Sequence, residues 1–573
     1  MTKRKKSPVN ETGAPETAKS AVHDDIENAA DKKETSTSPS TEATYPVVGI
    51  GASAGGLAAF EAFFSGMPSD MEPGMAFVLV QHLAPDHKSI LTDIIRRYTR
   101  MEVFEVEDGM LVRPNCVYII PPGRDMALLG NSLQLTTPSS PHGQRMPIDY
   151  FFRSLGHDRR EQAICIVLSG TGCDGTQGVR AIKGEGGMVM VQNPESTEYD
   201  GMPRSALASG LVDYELPPAQ MASQLIAYVT HAFGKRPRAA TATITATAAA
   251  WDKEDNELKK IFIILRSETG CDFSGYKLNT IRRRIERRMA VHQIEGLDRY
   301  VKYIQTNRLE VDALFRDLLI GVTNFFRDPE VFKSLSEQII PKLFAGKDAD
   351  GAIRVWAPGC STGEEAYSLA ILLAEHQETL KRTFKIQVFA TDIDSRAIAT
   401  ARAGLYPASI TADVSQERLS RFFSPEPGSD AYRIHKTIRD MMVFSEQNVI
   451  KDPPFSKLDL ISCRNLLIYM NTDLQKKLIP LFHYSLNPGG VLILGTSETV
   501  GEFNDLFDAI DRKSKLYRRK EDLQLSGRAA MSKCLPPSMI AVDGASIRPA
   551  AGRLTPAKKV SLRELTEQAF LQL

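Results

Sequence analysis

A serine, a histidine and an aspartate stand at the ends of three apolar runs in the first half of this chain. Ser53 sits in the bend of Gly-Ile-Gly-Ala-Ser-Ala-Gly-Gly, just after Val47-Val48. His82 follows Ala-Phe-Val-Leu-Val-Gln, and Asp174 follows Ala-Ile-Cys-Ile-Val-Leu within Ser-Gly-Thr-Gly-Cys-Asp-Gly. A free serine hydroxyl is a weak nucleophile and needs a base and an orienting acid. The ends of parallel strands converge on one crevice, so these residues have the types and positions of a nucleophilic triad. A strand-to-helix turn also sets the hydroxyl near helix-terminal N–H groups, which stabilise an oxyanion. The alternative for Gly49, Gly51, Gly55 and Gly56 is a dinucleotide loop. Their spacing departs from GxGxxG, and the next run ends in Gln81-His82 rather than an acid. His87, at a helix start, and His142, in a Ser/Pro-rich loop, are the other candidate bases and read as surface residues.

A second glycine turn, Ala-Pro-Gly-Cys-Ser-Thr-Gly-Glu-Glu, begins at Ala357, and the next apolar run ends in Asp392, with Asp394 behind it. A glycine turn after one strand and an acid ending the next is the layout that holds an adenosyl ribose. No phosphate-binding GxGxxG or Walker lysine accompanies it, which favours S-adenosyl-L-methionine over NAD or ATP. Ser361, in this turn, reads as structural, because no histidine follows a later strand as His82 does.

The elements that must position these groups are short apolar runs without period-two alternation, at 76–80, 116–120, 163–168 and 187–191 and again at 352–357, 386–392, 441–447, 458–463, 491–496 and 515–519. Such runs are strands buried on both faces of a parallel sheet, and the intervening helical stretches predict an α/β fold with two doubly wound domains. Residues 1–44 have the composition of a disordered tail. The first domain is expected over 45–235, an Ala/Thr linker over 236–252, a helical subdomain over 253–322, a second α/β domain over 323–523, and a linker with a terminal helix over 524–573. Arg282, Arg283, Arg284, Arg287 and Arg288 crowd one helix of the helical part, either as a solvated face or as a docking face for an acidic partner. Lys and Arg balance Asp and Glu at 70 each, which argues against nucleic acid as partner. The seven scattered cysteines form no CxxC, as in a reducing compartment, and suggest no metal site. No apolar run is long enough for direct membrane insertion, and the expected location is cytoplasmic.

Together, GIGASAGG, VQHL and SGTGCDG resemble the catalytic domain of the CheB-type chemotaxis protein-glutamate methylesterases. The resemblance implies the parallel-sheet methylesterase fold, Ser53, His82 and Asp174 as the triad, and hydrolysis of glutamyl methyl esters on receptors, with deamidation of receptor glutamines besides. Ala54 stands where Thr is common and Thr171 where Met is common; the family's Met donates its backbone N–H to the oxyanion, a role Thr171 can keep. VTNFFRD (322–328), VWAPGCSTGEEAYSLA, FATDID, SCRNLLIYM (462–470) and LGTSE (494–498) resemble, in that order, the CheR-type protein-glutamate O-methyltransferases. That resemblance implies a Rossmann-like S-adenosyl-L-methionine-dependent fold with a helical N-terminal subdomain. It also implies a cofactor site of Thr323, Arg327, Glu365, Asp392, Asn448, Val449, Arg464, Asn465 and Tyr469, with Tyr469 near the transferred methyl. Gly321 replaces an Asn that often touches the cofactor. The implied partners are the cytoplasmic domains of methyl-accepting chemoreceptors and kinase or response-regulator components of the same pathway. The expectation is a bifunctional enzyme; a non-catalytic scaffold or sensory module of a hybrid signalling protein is the alternative.

Overall fold

In the computed structural model, residues 45–68, 72–82, 91–138, 145–234, 247–319, 321–347, 351–380 and 382–521 are described. The tail, the terminal helix, His87, His142 and Cys534 lie outside them.

The first apolar run becomes strand Val47–Ala52, with every residue buried. It lies at the centre of a seven-stranded parallel sheet ordered Tyr214–Leu216, Met188–Gln192, Ala163–Val167, Val47–Ala52, Ala76–Gln81, Cys116–Ile119, Glu102–Glu105. Helices cover both faces. Val48, Ile50, Phe60, Phe63 and Phe77 form one core layer, and Val47, Phe151, Phe152 and Leu155 belong to the other. Gly49 and Gly51 face the helix Pro147–Arg159, where a Cβ on Gly51 would overlap Ile148. The small residues thus let that helix lie close on the central strand. A three-stranded antiparallel sheet, built from Met110–Leu111, Asp125–Leu129 and Ser132–Thr136, is an addition that the apolar runs did not announce.

Helix Thr247–Thr269 starts inside the expected linker. Ala248, Ala249 and Ala250 are strong helix formers, and they extend the helix backward. Leu278–Val291, Leu297–Thr306 and Arg308–Leu318 complete the helical part. The second large sheet runs Met442–Glu446, Lys385–Asp392, Ala352–Pro358, Leu458–Cys463, Leu486–Leu494, Leu516–Arg519, Phe507–Asp511. Its last two strands pair antiparallel. A small antiparallel sheet of Leu405–Pro407, Ala431–Ile434 and Phe423–Pro425 stands apart from it. Both α/β parts belong to one compact unit.

The arginine helix joins them, which changes its reading. Arg284, Arg287 and Arg288 are buried. Arg284 donates to the carbonyls of Lys183 (2.8 Å) and Gly184 (2.6 Å), and Arg287 Nε donates to that of Gly187 (2.9 Å). The other Arg287 nitrogens pair with Asp213 of the first domain and Asp317 of the helical part. Arg288 pairs with Glu310 at 2.5 Å. The docking-face expectation fails for these three: their guanidiniums are engaged inside the protein, at the seam between domains. Arg283 stays half-exposed and pairs with Glu161 at 2.6 Å.

Candidate active sites

Ser53 follows the last residue of the central strand, and its backbone N–H donates to the Ser169 carbonyl at 2.9 Å. The bend needs Gly55, which has φ +73° and no room for a Cβ beside Ser169 Oγ. The Ser53 hydroxyl lies 3.0 Å from His82 Nδ1, and His82 Nε2 lies 2.9 Å from Asp174 Oδ2. With Nε2–H donating to the carboxylate, Nδ1 is free to accept the serine proton. Asp174 is buried, and three backbone amides fix it: Ile148 N–H on Oδ2 (3.0 Å), Asp149 N–H (2.8 Å) and Gly175 N–H (2.8 Å) on Oδ1. The first two belong to the N-terminal turn of Pro147–Arg159, where the helix dipole favours an anion. The three residues read from strand ends therefore meet as a hydrogen-bonded chain. Thr171 lines a cavity of about 470 Å³ on the His82–Asp174 side of this chain, with Gln81, His82 and Asp174.

Asp149 was not foreseen. Its Oδ1 accepts the Gly178 N–H at 2.6 Å, while Oδ2 is buried without a hydrogen-bond partner. Burial, then the charge of Asp174, pushes its carboxyl up to about 8. A neutral acid behind the triad leaves Asp174 as the charge facing His82. Only the helix N-terminus after Met146 signalled it, as an acid in a first turn.

In the second domain, Asp392 ends its strand with both oxygens held. Oδ2 accepts the Ser361 N–H at 2.7 Å and Oδ1 the Asp394 N–H at 3.0 Å. Burial raises its pKa. Two adjoining cavities share Gly321, Gly359, Ser361, Asn465 and Tyr469; one adds Asp392, Asn448 and Val449, the other Thr323, Arg327, Glu365 and Arg464. All nine sequence-predicted residues thus line one continuous site. Leu319, Val449 and Leu466 give it apolar walls, the setting an adenine needs. Glu365 receives Ser462 Oγ and Arg464 Nη1, each at 2.7 Å. Arg464 also donates to the Arg327 carbonyl (2.7 Å) and to Asp328 (2.5 Å), so it clamps the 327–328 segment to Glu365. Glu498 is a second unforeseen residue: it accepts the N–H groups of Asn465 (3.0 Å), Ile468 (3.1 Å) and Gly495 (2.6 Å) and so shapes the loop that carries Tyr469.

The departure at Gly321 has a steric cause. A Cβ there would overlap Ser361 Oγ and Cβ, and the Ser361 hydroxyl donates to the Gly321 carbonyl at 3.3 Å. Ser361 is structural, as expected, and it is also what excludes a side chain at 321. Gly321→Asn is expected to lose about five-fold or more in cofactor affinity, if overpacking of about 1–3 kcal/mol falls on the cofactor site. Adding Ser361→Gly, at a position with φ +48° that suits glycine, should recover part of it. Titration calorimetry with S-adenosylmethionine measures both.

With these two geometries in place, three family models match the chain: CheB methylesterase over residues 48–225, the CheR methyltransferase all-alpha domain over 256–319 and its SAM-binding domain over 321–516. A putative methyltransferase of Pseudomonas putida, Cher3, is 34% identical over 278 residues, 46% of this chain and 97% of that protein. The chain belongs to the CheR methyltransferases and carries a CheB methylesterase domain in front. S-adenosylmethionine is the cofactor of the CheR part. An uncharacterized 104.1 kDa protein of Rhodobacter capsulatus is 37% identical over 75% of this chain, which spans 46% of that relative's length. The CheB methylesterase catalytic domain of Thermotoga maritima matches 32% of the chain and 98% of its own, at 27% identity and a TM-score of 0.30. Among the described residues, no helix is long and apolar enough to cross a membrane and no cluster of metal-ligating side chains is present.

Tyr469 faces two ways. Besides the CheR site, it lines a cavity of about 620 Å³ between the domains, with Glu185 of the CheB part and Arg283 and Arg284 of the arginine helix.

Proposed function

We propose that this chain writes and erases one mark, the methyl ester of a glutamate on the cytoplasmic part of a methyl-accepting chemoreceptor, and that it works in the cytoplasm. The observation that carries the reading is the pairing, in one compact unit, of a hydrogen-bonded Ser53–His82–Asp174 chain with a continuous site lined by Asp392, Glu365, Arg464 and Tyr469.

In the erasing reaction, Ser53 Oγ attacks the ester carbonyl while His82 takes its proton. The proton passes to the leaving methoxide, methanol departs, and water then frees the glutamate from Ser53 by the same relay. Thr171 N–H is the proposed oxyanion donor. The same attack on a glutamine side chain would release ammonia. In the writing reaction, S-adenosylmethionine supplies an electrophilic sulfonium methyl. Asp392 holds the ribose hydroxyls, and Thr323, Glu365, Asn448, Val449 and Asn465 complete the cofactor's surroundings. Arg464 holds Glu365 and the Arg327 segment in place, and Arg327 orients the acceptor carboxylate. Tyr469 limits the space where carboxylate and methyl meet in line, so the site works mainly by alignment and exclusion of water. The acceptor enters through the cavity between the domains.

The test supplies receptor membranes and methyl-labelled S-adenosylmethionine, and follows ester formation and methanol release. Asp392→Ala should lose cofactor affinity on the order of 100-fold, since it removes hydrogen bonds to a charged acceptor. Methanol release from pre-methylated receptor should persist. If wild-type protein yields neither labelled ester nor methanol with any receptor, the chain is a scaffold.

A further inference from the structure

The esterase mouth is not made by the CheB domain alone. The cavity that holds His82, Thr171 and Asp174 is also lined by Asp430, from the CheR domain. Asp430 ends the turn between strands Phe423–Pro425 and Ala431–Ile434 of the small antiparallel sheet. Its carboxylate Oδ2 lies 3.6 Å from where a Cβ on Gly172 would stand, beside the turn that carries Asp174. The position is anchored. The Asp430 carbonyl accepts the Ala408 N–H at 3.0 Å. The neighbouring Ser409 hydroxyl receives Gln177 Nε2 at 3.2 Å, and Asp413 lies 3.8 Å from Arg153, both partners belonging to the CheB domain.

The rim carries the opposite charge elsewhere. Arg124, exposed, donates to the Thr137 hydroxyl at 3.1 Å, and Arg145 pairs with Asp125 at 3.3 Å. The charge of Arg145 is met by Asp125 of its own domain, so one domain contributes an exposed cation to the mouth, Arg124, and the other an exposed anion, Asp430. A methyl ester is neutral, but the segment around it keeps the carboxylates of any glutamates that remain unmethylated. A carboxylate brought within a few ångströms of either rim charge would, in water-like dielectric, change binding on the order of three-fold.

We infer that Asp430 is a specificity determinant of the Ser53 esterase. It turns an ester segment so that remaining carboxylates lie toward Arg124 and away from Asp430. The inference rests on the esterase reading above. It also gives the CheR domain a part in choosing which ester the CheB domain removes, with no contribution to the bond-breaking steps.

The test uses the full chain and two peptides of identical composition. Each has one glutamyl methyl ester and one free glutamate, placed one helical turn before the ester in one peptide and one turn after it in the other. Methanol release at low salt should favour one isomer several-fold in kcat/KM. Asp430→Asn should shrink the ratio. Asp430→Lys should bring it close to one, because both sides of the mouth are then cationic. In 1 M salt the wild-type ratio should also flatten, since screening then acts within about 3 Å. A wild-type ratio that both variants leave unchanged overturns the inference, as does a parallel fall in kcat for both isomers at constant ratio. Absence of methanol from both peptides and from pre-methylated receptor with wild-type protein overturns the esterase reading, and this inference with it.

Discussion

Ser53→Ala should abolish methanol release, by a factor on the order of 10⁴ or more, while methyl label from S-adenosylmethionine accumulates on the receptor. Loss of a triad nucleophile removes the acyl-enzyme route, and what persists comes from the oxyanion donor and binding alone. The substitution leaves the scaffold in place. The contacts that hold the bend are made by the backbone: Ser53 N–H to the Ser169 carbonyl at 2.9 Å, and Gly56 N–H to the Ser53 carbonyl at 3.0 Å. The variant thus separates the activities. In wild-type protein the label measured is the difference between writing and erasing; in Ser53→Ala it is writing alone, and the plateau should rise. Loss of both activities in this variant would mean that the two sites are not independent, and the assignment of hydrolysis to Ser53 would lose its support.

Ser53, His82, Asp174 and Asp392 were legible because each ends or follows a run of buried apolar residues; the other cofactor-site residues, such as Thr323, Arg327 and Glu365, came from the motifs that resemble the CheR family. In a parallel sheet those ends share one edge, so position along the chain already implies convergence in space. Parallel strands buried on both faces also read plainly: Ala163–Val167 is buried throughout, as its wholly apolar composition leads one to expect. Asp149 and Glu498 were not legible. They act through hydrogen bonds to backbone amides that only the folded chain brings near, Gly178 N–H in a helix start for Asp149 and the Asn465, Ile468 and Gly495 amides for Glu498, and no spacing rule identifies a carboxylate with that role. Strand Phe507–Asp511 was missed because it is an edge strand with exposed residues at Asp508 and Ala509, and its hydropathy lacks the buried-strand signature. The arginine helix was misread for a related reason. An arginine at a domain seam and one on a solvated face look alike in sequence, and only the partners Asp213, Asp317 and Glu310, far apart along the chain, distinguish them.

Arg287→Ala should cost about 3–5 kcal/mol, because it leaves buried carboxylates short of a cation. Arg287 sits between Asp213 and Asp317, and Lys183 reaches the same pair at 2.6 and 3.3 Å. Burial tends to raise the pKa of Asp213, but Arg287 first and Lys183 next outweigh it and hold the carboxyl below the usual range. Burial, then the charge of Arg287, lowers the Lys183 ammonium to about 8. Without Arg287, Lys183 and Arg288 are left beside these carboxylates, with Arg284 near Asp317, and the Gly187 carbonyl loses the Arg287 donor. These groups come from both sides of the seam, so the loss should fall on the contact between domains. Calorimetry reads it as a domain transition that separates and moves to lower temperature. Arg283→Ala is the control: its ion pair with Glu161 is half in solvent, and such pairs contribute about 0–1 kcal/mol. Unchanged transitions in Arg287→Ala would mean that the buried network does not hold the domains together. A split transition would make Arg287, which lines the cavity beside Tyr469 together with Arg283 and Arg284, a tie between the two domains.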